Sequence, residues 1–217
     1  MNIDLTGEVD ATNQFKSDLA MTTYDAATNE FNAEQFRFHH PSEHTVNGKY
    51  YDIEMQVYHN AKEFNDTAKI KYGAVSVFFS VKNYDMSIST AENDTVKDFF
   101  KNLKFDDLGD PVVDLISFGE LMNIVKFDQR WVYKGSHTQP PCDQFVYWNV
   151  IRRVLPITPE QLALFKAKLE SKVETLGAKT NNRALQPIKG HNIRYIGAHK
   201  LFLATSATLA SVLYLLQ

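Results

Sequence analysis

The tightest constraint in this sequence is a pair of alternating runs on either side of an Asn-Gly step. Residues 34–40 (EQFRFHH) and Tyr50–His59 (YYDIEMQVYH) both alternate apolar and polar side chains, and 41–49 (PSEHTVNGK) lies between them with Asn47-Gly48 near its end. Asn and Gly tolerate the positive φ angles that a tight hairpin turn needs. Period-two alternation places every second side chain on the same face of a strand. The two runs therefore read as an antiparallel β-hairpin, with Arg37 and His39 on one face of its first strand and His40 on the other.

The rest of the chain extends this reading. Lys71–Val81 is strongly apolar and β-branched from Tyr72 on, as a buried strand is, and Phe145–Val154 is a second run rich in aromatics and valine. Thr95–Leu103 has helical spacing. Thr158-Pro159-Glu160-Gln161 opens another helix, with a Thr cap, Pro at the first helical position and Gln three residues after the cap; the helix runs to about Leu169. Asn182–Tyr195 reads as extended. Strands dominate, so the expected class is mainly β (α+β), a twisted, mostly antiparallel sheet with short surface helices. A chain of 217 residues suits one core.

The C-terminal end differs in character. Leu201–Leu216 (LFLATSATLASVLYLL) contains no charge, Gly or Pro. Counted from Ile196, the run reaches the roughly 17–25 residues of a bilayer-spanning helix. Residues 1–195 are thus expected to form the folded domain and 196–217 a hydrophobic, membrane-spanning helix. A buried terminal helix and a cleaved lipid-anchor signal are the alternatives. The N-terminus (MNIDLTGEVD) lacks the basic and apolar regions of a signal peptide. A net charge of −3 without a Lys/Arg cluster gives no reason to expect nucleic acid as a partner. With Cys142 as its single cysteine, the chain forms no intrachain disulfide.

Three segments, in order, carry a family resemblance: QFRFHHPSEHTVNGKYYDIEMQVYH (Gln35–His59), YKGSHTQPPCDQFVYW (Tyr133–Trp148), and TPEQLALFKAKL followed by NNRALQPI. Together they resemble the α-class carbonic anhydrases, which carry His-x-His, Ser-Glu-His-Thr-Val, Tyr-x-Gly-Ser-Leu-Thr-Thr-Pro-Pro-Cys and Asn-x-Arg-x-x-Gln-Pro in the same order. The resemblance implies the fold of that family, N-terminally shortened here. It also implies a former zinc site, in which three neutral imidazoles hold the ion and a water takes the fourth position.

At the three ligand positions stand Arg37, His39 and Gln56. A guanidinium has no acceptor and stays charged, so Arg37 cannot ligate a metal. A neutral amide oxygen is a weak zinc ligand beside imidazole. Glu43 and Thr138 match the pair that orients the zinc-bound water in active members. Glu54 matches the carboxylate behind the third histidine. At the former substrate wall, His137 and Gln139 replace Leu and Thr. The resemblance therefore points to the zinc-less carbonic anhydrase-related proteins: no cofactor, no catalytic residues, and a buried network of Glu43, His44 and Thr138 kept for structural reasons. Arg37 is expected to pair with Glu54 across the hairpin, or else to hold a bound anion.

Only 36 residues precede Arg37, fewer than in the family, so either Met1 is not the biological start or part of the sheet is absent. In the second case open strand edges would be covered by a partner. Cys142 fits that loss, since its family counterpart pairs with an N-terminal cysteine in secreted members; it fits a small buried thiol equally well. The expected function is a catalytically inactive carbonic anhydrase-like subunit of a membrane-associated assembly, with other protein subunits as partners. The membrane could be organellar, such as mitochondrial, or belong to the secretory pathway. The alternatives are a carbonate dehydratase with a non-standard metal site, using His39 and His137, and anion or glycan binding in the former active-site cone.

Overall fold

The computed structural model describes residues 2–4, 14–16, 30–61, 72–109, 113, 116–173, 180–188 and 192–197. Two short strands, β1 (Asn2–Asp4) and β2 (Gln14–Lys16), pair antiparallel along β3 (Glu30–His39). The backbone of β3 over 30–32 and 35–37 is therefore not an open edge. β4 (Ile53–Ala61) follows antiparallel, with Arg37 opposite Gln56 and His39 opposite Glu54. The expected hairpin is present, extended at the outer end of both strands. Its connection closes where Val46 and Lys49 exchange backbone hydrogen bonds of 3.1 Å, around Asn47 (φ 52°) and Gly48 (φ 74°). Two consecutive positive φ angles give the primed turn that matches the twist of the flanking strands.

β5 (Tyr72–Ser80) continues the antiparallel order beside β4. The chain then crosses over through α1 (Thr90–Asn102), α2 (Phe118–Ile124) and β6 (Arg130–Ser136) to β7 (Gln144–Pro156). β7 lies parallel to β5 and antiparallel to β6, so the sheet is mixed at its centre. After α3 (Pro159–Val173), β8 (Arg194–Ile196) pairs with β6 and ends the sheet. The order is β1–β3–β4–β5–β7–β6–β8, with β2 also on β3.

Alternation sorts the two faces. Phe36, Phe38, Met55, Val57, Val75, Val77 and Phe79 point toward the helices and pack with Phe99, Phe100, Leu121, Phe165 and Leu169. Phe38 is central, with ring centroids of Phe105 at 5.7 Å and Phe165 at 5.9 Å. The opposite face carries Arg37, His39, Glu54, Gln56, Tyr58 and Ser76.

Three sequence readings need correction. α1 starts at Thr90, five residues early, because Ser89 and Glu92 form a capping box: Glu92 N donates to Ser89 Oγ at 3.2 Å and Ser89 N to Glu92 Oε2 at 2.8 Å. The first turn is polar, which hid it from an apolar-spacing argument. Among the described residues of the expected extended stretch 182–195, only Arg194 and Tyr195 are strand, since 180–188 runs without regular structure. Finally, Ile196 is not the start of a hydrophobic helix: it closes β8 opposite Arg130. The run 201–216 lies outside the described residues, and no helix among the described residues is long and apolar enough to cross a membrane.

Candidate functional site

The site is built on the polar face of the hairpin, where side chains of β3, β4 and β5 converge with the 42–45 turn, the end of β6 and the stretch 181–183. Glu54 is its anchor. The carboxylate is wholly buried and accepts five hydrogen bonds. Oε2 receives the backbone N–H of Glu43 at 2.7 Å and of His44 at 2.8 Å. Oε1 receives His44 Nδ1 at 2.6 Å, Ser76 Oγ at 2.8 Å and Gln56 Nε2 at 3.0 Å. Burial alone would raise the Glu54 pKa, but the charge and hydrogen bonds of His44 outweigh it and hold the carboxyl down at about 2.

His44 answers this charge. Burial lowers its pKa, yet attraction to Glu54 prevails and the net shift is upward. When protonated it donates from Nδ1 to Glu54 and from Nε2 to the Tyr133 hydroxyl, 2.6 Å away. Burial, reinforced by the negative charge of Glu54, pushes the Tyr133 pKa far up and keeps its hydroxyl protonated. The ion pair therefore runs between Glu54 and His44. The expected Arg37–Glu54 pair is not formed, because His44, Ser76 and two turn amides already occupy the carboxylate.

Arg37 instead donates from Nε to Gln35 Oε1 at 3.2 Å and lays its guanidinium over the Tyr58 ring, 4.8 Å from the centroid. Gln56 sits between the two acids. Its Nε2 donates to Glu43 Oε2 at 2.8 Å as well as to Glu54. Its Oε1 accepts from the Tyr58 hydroxyl at 2.9 Å and, more distantly, from Thr138 Oγ1 at 3.4 Å. Tyr58 is buried, which raises its pKa to about 12 and keeps it a donor. His137 stacks on the Tyr58 ring at 4.8 Å and meets Tyr72 edge-on at 4.7 Å.

His39 is held in one orientation. Its Nδ1 donates to the Asn181 carbonyl at 3.1 Å and approaches Glu43 Oε1 at 3.2 Å. The lone pair is then on Nε2, which is buried with no hydrogen-bond partner among the described residues. Glu43 Oε1 also accepts the Arg183 backbone N–H at 2.8 Å. Thus the structure brings Glu43, Glu54, Gln56, His39 and Thr138 together, with Arg37 and His137 both packed on the Tyr58 ring. Gln139 is exposed in the turn before Cys142 and lies apart from the cluster. His40 turns away, bonding the Asp52 carbonyl through Nδ1 at 2.7 Å. Sequence reasoning missed Tyr58, Ser76, Tyr133, Asn181 and Arg183. Period two placed Tyr58 on the face of Gln56, and Ser76 is a polar interruption in an apolar strand, so these two were open to it.

Do these groups fit a zinc ion? One imidazole, His39, is oriented as a ligand with its ring nitrogen vacant. The neighbouring Gln56 oxygen is taken by two hydroxyls, and Arg37 adds a fixed cation. Zinc prefers at least three nitrogen, sulfur or carboxylate donors in tetrahedral array. The described residues contain no group of three His, Cys, Asp or Glu able to hold a metal. The set does not fit.

A mixed sheet carries helices on one face and a buried acid–imidazole–amide cluster on the other. The chain belongs to the eukaryotic-type carbonic anhydrase family, whose profile matches residues 2–197. It is 30% identical over 168 residues to dioscorin dioA3 of Dioscorea japonica, covering 76% of this chain and 55% of that protein. With alpha carbonic anhydrase 4 of Arabidopsis thaliana it shares 28% identity over 166 residues, covering 76% and 54%. Among solved structures, it matches the α-carbonic anhydrase of Thermovibrio ammonificans in complex with sulfanilamide at a TM-score of 0.57 and 28% identity, covering 76% of this chain and 62% of that one. Dioscorin complexed with ascorbate matches at 0.58 and 27%, covering 79% and 64%. The chain spans about half the length of the curated relatives it matches.

Proposed function

We propose that this chain is a catalytically inactive carbonic anhydrase-like protein that serves as a structural or interaction subunit of a membrane-associated assembly. One observation carries the first half: Gln56 closes the former ligand position on itself. Its amide N–H serves Glu54 as an imidazole N–H would, while its oxygen is capped by the Tyr58 hydroxyl where a metal would draw on a ring nitrogen. Every polar atom of that side chain is satisfied inside the protein, and Arg37 puts a positive charge beside it. Without a metal there is no bound water with its pKa brought near 7, and so no nucleophile for CO2.

The second half rests on the sequence. The uncharged run Leu201–Leu216 is long and apolar enough, together with its flank, to enter a bilayer. A fold without chemistry at its site is retained for what it binds. The test is direct: the purified full chain should contain no stoichiometric zinc and should hydrate CO2 no faster than buffer. Stoichiometric zinc with hydration above the buffer rate would overturn the inactive reading.

A further inference from the structure

We propose that the surface beside the sheet edge β8, formed by Leu185, Ile188, Ile193 and Tyr195 and flanked by Arg194, rests on an anionic lipid bilayer. This inference rests on the membrane association proposed above and says which face of the domain meets the lipid. Single exposed apolar residues are ordinary on protein surfaces, whereas a contiguous group marks a contact surface. Among the described residues, four of the exposed large hydrophobics fall within 185–195: Leu185 (52% exposed), Ile188 (69%), Ile193 (43%) and Tyr195 (48%). They adjoin one another. Leu185, Ile188 and Ile193 line one cavity of about 260 Å³, and Ile193 lines a second, of about 210 Å³, together with Trp131. Trp131 in turn packs on Tyr195 with ring centroids 5.5 Å apart.

Charge selects the occupant. The chain as a whole is acidic, but its charges are segregated: no Asp or Glu follows Glu174, whereas Lys179, Arg183, Lys189, Arg194 and Lys200 do. Arg194 is exposed and forms no ion pair among the described residues. Apolar side chains flanked by the exposed cation of Arg194, on a stretch of sequence that carries no acid, complement a bilayer of anionic headgroups over acyl chains, and a basic residue near such a surface strengthens the contact. The same segment leads, within a few residues, into the uncharged run Leu201–Leu216. An apolar peptide groove would need no cations, and an acidic protein partner would need less protruding hydrophobic surface than Ile188 presents.

The chain supplies its own reporter. Of its two tryptophans, Trp131 borders this surface and Trp148 is buried in the sheet. The full chain is incorporated into phosphatidylcholine vesicles with or without phosphatidylserine, some of the lipid carrying bromine on its acyl chains, and tryptophan quenching is read. The expected result is quenching of a component that disappears in Trp131→Phe, stronger with phosphatidylserine and weaker in high salt. Leu185→Ser with Ile188→Ser should abolish it while leaving the melting temperature unchanged, because both side chains are exposed. Arg194→Gln should weaken the quenched population on the order of fivefold. If the chain sediments with vesicles but Trp131 is not quenched, the anchor stands and this surface does not face lipid. If it sediments with no vesicle, the membrane reading itself falls. If a photo-crosslinker at position 188 captures a polypeptide in the assembled vesicles instead of lipid, the surface is a protein interface and the inference is overturned.

Discussion

Removing one oxygen from Tyr58 tests the self-closed site with the smallest possible change. In Tyr58→Phe the ring and its stacking on His137 remain, but Gln56 Oε1 keeps only the 3.4 Å contact to Thr138. A buried acceptor left this way costs about 1–3 kcal/mol, measurable by denaturant unfolding. Charge tells the same story at Arg37 and Glu54. Since His44 neutralises Glu54, Glu54→Gln should cost about 3–5 kcal/mol by leaving a buried imidazolium without its counter-charge. Arg37→Met loses a half-exposed cation–π contact, about 1 kcal/mol or less. The two changes share no partner, so the double variant should be additive within about 0.5 kcal/mol in a double-mutant cycle; coupling of several kcal/mol would mean that Arg37 balances the buried acid after all. Metal binding can be rebuilt along the same lines. Arg37→His with Gln56→His, in a Tyr58→Phe background that frees the ligand position, should recover one zinc per chain, because His39 is already oriented and Glu54 already waits behind position 56. Neither histidine alone should do so. Elemental analysis reads the outcome.

At the scale of elements, the turn and the caps were legible because their chemistry is local. Asn47-Gly48 announces a hairpin whatever surrounds it, and Thr158/Gln161 form the expected cap, with Gln161 N donating to Thr158 Oγ1 at 3.1 Å. Ser89/Glu92 is the same device, overlooked because the apolar face of α1 begins only at Val96. β6 was missed for a different reason. Its residues alternate, but its partners β7 and β8 lie downstream, and only pairing turns that pattern into a strand. The site followed the same division. Residues on one strand face could be grouped from period two, whereas the competition that gave Glu54 to His44 depended on how the 42–45 turn folds back over β4. These elements also set stabilities. Ser89→Ala should cost about 1 kcal/mol, and Gly48→Ala, at φ 74°, about 1 kcal/mol through left-handed strain. Phe38→Ala, which empties the space between the sheet and two helices, should cost about 3–5 kcal/mol. Thermal and denaturant melts of the three variants should keep that order.

The whole molecule should respond to pH through two histidines, His59 buried and His44 mostly so, that pull in opposite directions. His59 is buried and depressed by that burial to about 3. A depressed histidine leaves the unfolded chain binding the extra proton, so the stability it contributes is present above the ordinary value of 6.5 and is lost as pH falls below it. His44 is raised, so its contribution is present below 6.5 and is lost as pH rises through its folded value. Glu54, held at about 2, adds a second loss below about 4.5. Stability should therefore peak near pH 6.5, with His59→Gln flattening the acid limb down to about 4.5 and His44→Gln the alkaline one. The sheet order has another consequence, one that unfolds in time. β5 finds its parallel neighbour β7 only after the two helices and β6 that separate them in the chain. A ribosome delivering this protein would release the β3–β4–β5 meander with one flank of β5 bare and the phenylalanine-rich side of the sheet uncovered. Such a nascent chain must wait for its centre, and is a natural client for chaperones during that interval.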